Sequence, residues 1–181
     1  MENTALVLID VQGKLAQGMW KKEALFDNLQ RLVKGARTLD IPIVWVEQNP
    51  EGLGPTIPEL SVLLDGLKPV SKFSFSCCGA PDFIAALRNT GRKQVLLCGI
   101  ETHVCVYQTA LDLVEMGYET HVVSDCVSSR TPEDRQIGLD KMKELGVAIT
   151  GAETTLFELL KEASGDRFKA ILKIVRPPRI V

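Results

Sequence analysis

Apolar positions along this chain fall into two kinds of run. Short runs such as Ala5-Leu6-Val7-Leu8-Ile9 and Val95-Leu96-Leu97-Cys98 are apolar without alternation, as strands buried on both faces are. Longer stretches between them carry apolar residues at helical spacing against a polar background. The pattern predicts strands over about 5–10, 42–47, 69–72, 94–99, 119–124 and 147–150, and helices over about 22–39, 81–90, 103–116, 132–145 and 153–163. Gly91, Gly117 and Gly146 follow helical runs as C-terminal caps do, and Thr131-Pro132-Glu133 reads as a helix start with proline at its first position. Regular alternation of strand and helix implies a parallel sheet covered on both faces, a three-layer α/β/α arrangement with right-handed crossovers.

Composition narrows the class. With 181 residues, 45% of them hydrophobic, the chain can close one sizeable core, and no repeat, low-complexity tract or linker marks a second unit, so one domain over 1–181 is expected. A net charge of −2 provides no basic field for nucleic acid, and neither a Walker loop nor a G-x-G-x-x-G after a strand is present. There is no apolar run of about 18 residues and the first strand begins almost at once, so neither a membrane span nor a signal peptide is expected and the default compartment is the cytoplasm. Five cysteines, at 77, 78, 98, 105 and 126, form no C-x-x-C pair, which argues against a disulfide framework and a zinc ribbon.

Three strand ends carry chemistry. The first strand runs into Asp10 and then Val11-Gln12-Gly13, the third into Lys72, and the fourth breaks at Gly99 before Cys105 near the start of a helix. Open α/β sheets place ligands beyond the carboxyl ends of their strands. A helix start offers unpaired N–H groups and a partial positive charge that favour a thiolate, which makes Cys105 the nucleophile candidate, Asp10 its base and Lys72 the balancing charge. Taken singly, each has a plainer reading: Asp10 as a turn cap, Lys72 as a solvated charge, Cys105 as a core thiol. Cys98 and Cys126 read as small buried hydrophobes, and Cys77 and Cys78 as loop thiols near Lys72. His103, two residues before Cys105, is off its helical face and suits a pocket edge; His121 reads as a sheet position.

Leu8-Ile9-Asp10-Val11-Gln12, Lys72 and Gly99-Ile100-Glu101-Thr102-His103-Val104-Cys105-Val106, with Thr109-Ala110 and Gly117 behind, together resemble the isochorismatase-like cysteine hydrolases, in order and spacing up to about residue 155. That resemblance implies a six-stranded Rossmann-like sheet and an Asp10, Lys72 and Cys105 triad. It also implies an oxyanion hole from the backbone N–H groups of Glu101 and Cys105, and a cis peptide between Ile100 and Glu101. Relatives that hydrolyse nicotinamide hold a metal with an Asp and several His after the second strand. Here residues 41–64 contain neither, so no metal and no other cofactor is expected.

The Pro- and Gly-rich connection from Glu47 to Pro58 follows a strand end and reads as a lid or pocket wall. Phe73, Phe75 and Ile100 would give the pocket an apolar wall, and Gln12, Gln48 and Asn49 polar contacts, for a small uncharged substrate. Retention of the cysteine favours hydrolysis of an amide or N-carbamoyl compound through a thioester over the family's vinyl ether cleavage. A partner-binding module and a thiol redox sensor on the same fold are the alternatives from other classes. Apolar residues between basic ones from Asp166 to Val181, with Pro177 and Pro178 stopping any helix there, suit a loose tail or packing on a neighbouring subunit, and with family habit favour a homo-oligomer.

Overall fold

The computed structural model describes residues 3–176. Six strands, β1 (Thr4–Ile9), β2 (Ile43–Gln48), β3 (Val70–Lys72), β4 (Gln94–Ile100), β5 (Glu119–Ser128) and β6 (Ala148–Thr150), form one sheet in the order β3-β2-β1-β4-β5-β6, with every neighbouring pair parallel. Helices cover both faces, so the predicted three-layer α/β/α sheet of six strands is what forms. The chain winds outward from β1 through β2 to β3, then returns beside β1 as β4 and winds the other way. The switch point lies between β1 and β4, where an open sheet leaves a crevice at its carboxyl edge.

β1 is buried at every position, and its alternate side chains feed two cores. Leu6 and Leu8 pack with α2 (Lys22–Thr38) and α8 (Ala152–Leu160), while Ala5, Val7 and Ile9 pack with α5 (Pro81–Asn89), α6 (Tyr107–Glu115) and α7 (Pro132–Glu144). Thr131 caps α7 as its sequence promised, accepting from the amide of Asp134.

Several elements differ from the expected ones. α6 starts at Tyr107, because Thr102–Val106 forms a π-helical turn instead of its first turn. α1 (Gly13–Gln17) and the single turns α3 (Pro50–Leu53) and α4 (Pro58–Ser61) lie in segments for which no helix is expected. β5 runs on to Ser128 through an irregularity in which Leu97 pairs with Val122 but Gly99 with Val127. At the C-terminus, α9 (Gly165–Val175) buries Ile171 and Val175 in the core of its own chain, against α2 and α8. Those apolar positions are thus neither a loose tail nor a surface for a neighbour. Pro177 to Val181 lie outside the described residues.

Gly99 lets β4 approach β1 where the crevice opens. At its φ of 118° a Cβ would lie 2.0 Å from the carbonyl oxygen of Ile9 and 2.7 Å from its nitrogen. Both clashes are with backbone, which cannot rotate away. Gly99→Ala is expected to lower stability by about 3 kcal/mol, seen as a fall in the urea midpoint, whereas half-buried Gly54, also at positive φ but with open space where a Cβ would stand, should cost less on the same change.

Candidate active site

Asp10, the residue after β1, sits at a φ of 55°, a left-handed conformation that aspartate tolerates better than most side chains. Its amide donates to the Val46 carbonyl (3.1 Å) and its carbonyl accepts from Gln12 (2.8 Å), which fixes the turn at the switch point. Lys72, the last residue of β3, reaches across beneath β2. Its side chain is completely enclosed, and Nζ donates to Asp10 Oδ2 at 2.8 Å, Gln48 Oε1 at 2.6 Å, Phe75 O at 3.0 Å and Ser74 O at 3.1 Å. Four acceptors around three N–H bonds hold the ammonium as a fixed charge beside Asp10. This replaces the solvated-lysine reading.

Cys105 is the fourth residue of the π-helical turn and is 8% exposed. The Glu101 carbonyl accepts from Val104 (3.1 Å) and Val106 (3.2 Å), the amides flanking that of Cys105. The peptide between Ile100 and Glu101 is cis. Gly138 of α7 has its Cα against the backbone of Thr102 and His103, where an added Cβ would lie 2.7–2.8 Å from three backbone atoms, so α7 braces the turn directly.

The electrostatics depart from the sequence expectation. Burial, and next the negative charge of Asp10, push the Cys105 thiol up to about 12, with Lys72 pulling the other way. The helix start does not make a free thiolate: desolvation wins. Burial likewise raises the Asp10 carboxyl above its ordinary value, against the opposing pull of Lys72 and smaller contributions from Cys105 and Gln48. Asp10 Oδ1 is buried and has no hydrogen-bond partner among the described residues, which leaves one carboxylate oxygen uncommitted beside a protonated thiol.

The expected pocket contacts are distributed differently. Gln12 is fully buried and clamps the connection after β2: its Nε2 donates to Gln48 O (3.1 Å) and Gly54 O (2.7 Å), and its Oε1 accepts from the Gln48 amide (2.7 Å). Gln48 spends its side chain on Lys72 and on Phe73 O (2.8 Å). Both glutamines are engaged in this network, and Ile100 is fully buried in the core layer on the α2 side. Asn49 is half-buried and its amide donates to Lys72 O (2.9 Å). Because the Phe73, Ser74 and Phe75 carbonyls all serve this network, the rings of Phe73 and Phe75 are turned outward, 78% and 59% exposed.

The structure also assigns partners to residues around the site, of which only Cys77 and His103 stand out in the sequence. Buried Glu47 accepts from both the amide (2.7 Å) and the hydroxyl (2.8 Å) of Thr56, and Trp45 donates to that hydroxyl (2.7 Å), so of the two readings of this connection, lid or pocket wall, these bonds favour the wall. Cys77 is fully buried, and its amide donates to Thr109 Oγ1 (2.9 Å), one helical turn beyond Cys105. His103 Nδ1 lies 2.9 Å from Ser129 Oγ, and Arg130 Nε donates to both carboxylate oxygens of Glu101 (3.2 and 3.1 Å). Among the others, Glu47, an acid that follows the apolar run Ile43-Val44-Trp45-Val46 within β2, is the available signal. No group of three or more His, Cys, Asp or Glu among the described residues is placed to hold a metal.

This architecture has counterparts. The family model described as the Isochorismatase domain matches residues 4–154, most of the chain. The chain belongs to the isochorismatase domain family. Isochorismatase domain-containing protein 2A of Mus musculus is 41% identical over 182 residues, 98% of this chain and 84% of the mouse protein. The solved structure described as MAR1 ribonuclease from Caenorhabditis elegans superposes with a TM-score of 0.90 at 36% identity, covering 99% of this chain and 95% of that one. The YcaC gene product of Escherichia coli, described as an octameric hydrolase of unknown specificity, matches with a TM-score of 0.91, covering 96% of this chain and 86% of its own. At 23% identity that likeness speaks to the fold. No helix among the described residues is long and apolar enough to cross a membrane.

Proposed function

We propose that Asp10, Lys72 and Cys105 form the catalytic set of a cysteine hydrolase that cleaves the C–N bond of a small amide or N-carbamoyl compound. The observation that carries this reading is the enclosed Lys72–Asp10 pair, with its second carboxylate oxygen unpartnered beside the Cys105 thiol. With the thiol pushed up to about 12, attack needs a base acting as the bond forms. Asp10 Oδ1 takes the thiol proton while Sγ adds to the substrate carbonyl carbon. Backbone N–H groups of Glu101 and Cys105 hold the resulting oxyanion. Collapse breaks the C–N bond, the leaving amine takes the proton back from Asp10, and the acyl group stays on sulfur as a thioester. Water, giving a proton to Asp10, then cleaves the thioester and restores the thiol. No cofactor is needed in this scheme. Activity should require ionised Asp10, so its acid limb should lie above the ordinary carboxylate range.

Cys105→Ala tests the scheme. Turnover of a panel of small primary amides and N-carbamoyl amino acids should fall by at least about a thousandfold, with an unchanged circular dichroism spectrum. Activity surviving in the variant would sink the thioester route and favour vinyl ether cleavage, which needs no thiol. RNA belongs in the same panel because of the nematode relative's description, but the net charge of −2 and the committed Lys72 favour acyl chemistry. The outward Phe73 and Phe75 rings support the expectation of a homo-oligomer, since a neighbouring copy would remove them from water.

A further inference from the structure

Away from these three residues, a cavity of about 210 Å³ opens between the start of α2 and the irregular part of β5. Leu25 and Val127 contribute apolar lining, and Trp20, Lys21, Asn28 and Arg135 surround it. The Lys21 ammonium lies 4.6 Å from the centroid of the Trp20 ring and the Arg135 guanidinium carbon 5.8 Å from it. Two cations therefore converge on one indole. Neither forms an ion pair with a carboxylate within 4.0 Å among the described residues.

Arg135 cannot swing away. Its Nε donates to Val127 O (3.0 Å) and its Nη2 to Ser124 O, closing the carbonyls exposed by the irregularity in β5. Its Nη1 makes no hydrogen bond among the described residues. The cavity does contain one carboxylate, Asp125, whose negative charge acts on Arg135 from beyond ion-pair distance and whose Oδ1 accepts from the first amide of α8 (Ala152 N, 2.8 Å). An indole face attracts a cation, yet two like charges over one ring repel each other, and a half-buried guanidinium is screened less than an exposed one. A negative group lying between them would relieve that repulsion and satisfy Nη1.

We infer that this cavity is a binding site for a small oxyanion, carboxylate or phosphate, held between Lys21 and Arg135 beside Trp20. The site is separate from Cys105 but is joined to its neighbourhood: the Trp20 amide donates to Ser129 O (2.8 Å), and Ser129 Oγ is the partner of His103.

The chain has two tryptophans, so Trp45→Phe leaves Trp20 as the only indole reporter. Titrating that variant with inorganic phosphate and, separately, with acetate, at ionic strength held constant with potassium chloride, should give a saturable change in Trp20 emission. Saturation by phosphate alone assigns a phosphate site, by acetate alone or by both a carboxylate-accepting one. Calorimetric titration of the unaltered protein with the same two salts gives the answer without the substitution. Lys21→Gln, at an exposed position, should weaken binding by about tenfold or more, and Lys21→Arg should restore it. No saturable response to either anion, a response matched by chloride alone, or equal affinity in Lys21→Gln would overturn the inference.

Discussion

Replacing Asp10 with asparagine is expected to make Cys105 more reactive toward an alkylating agent while removing turnover. The two effects have opposite signs because Asp10 does two things. As a charge it opposes the thiolate, standing second only to burial in pushing the thiol up to about 12. As a base it is the proposed acceptor of the thiol proton. Asparagine keeps the shape and tolerates the left-handed backbone at this position. It removes the charge and leaves the Lys72 ammonium in place to favour the thiolate. A unit charge a few ångströms away shifts a partly buried group by about one to two pK units, so iodoacetamide should modify Cys105 about ten to a hundred times faster at about pH 8. Hydrolysis should fall by about 10²- to 10⁴-fold through loss of the base. Peptide mapping supplies an internal reference. Cys78, half-buried and raised to about 11 by burial and by Asp112, owes nothing to Asp10 and should be unchanged. Slower alkylation of Cys105 in the variant would mean that Asp10 promotes ionisation in the resting protein, and the concerted base role would have to be abandoned.

That prediction runs against what the helix start alone suggests, and the reason shows where a sequence stops being readable. The unalternating runs of β1 and β4, the glycines after helices and the Thr131 cap are local signals, and they located the sheet and most of its helices. The order of the three site residues was equally local: each follows or ends a strand. Whether a charge is enclosed is not local. Lys72 reads as a solvated lysine until the crossing from β3 toward β1 brings Asp10, Gln48 and two carbonyls around it. The pK of Cys105 likewise depends on burial and on Asp10 and Lys72, which other strands bring to it, and residues 102–106 carry no period that separates a π turn from an α turn. Gln12 is the converse case. A polar residue two positions after Asp10 invites a substrate contact, yet its three hydrogen bonds are spent on holding the connection after β2 that the sequence read as a lid or pocket wall. α9 was missed because the prolines that follow it stood out more than its own apolar spacing.

Lys72→Met should destabilise the protein by about 3–5 kcal/mol, far beyond the few tenths expected of a surface lysine. Methionine occupies similar space but leaves the Asp10 carboxylate buried without its cation. It also strips a donor from Gln48 Oε1 and from the carbonyls of Ser74 and Phe75. The pH dependence identifies the cause. Asp10 is already raised by burial against the pull of Lys72, and losing Lys72 raises it further. A carboxyl whose folded pK lies above its unfolded one costs stability in full above the folded value, and the cost shrinks as pH falls through it and the group becomes neutral. The deficit of Lys72→Met relative to the parent should therefore be largest at alkaline pH and diminish on acidification. Adding Asp10→Asn removes the stranded charge at every pH, so the double variant should recover about 2 kcal/mol or more over Lys72→Met alone, and its deficit should lose most of that pH dependence. Urea midpoints of the four proteins across a pH series decide the matter. A small, pH-independent loss in Lys72→Met with no recovery in the double variant would mean that Lys72 is held by its neutral acceptors, and that the charge balance assigned to the Asp10 pair is not what keeps it buried.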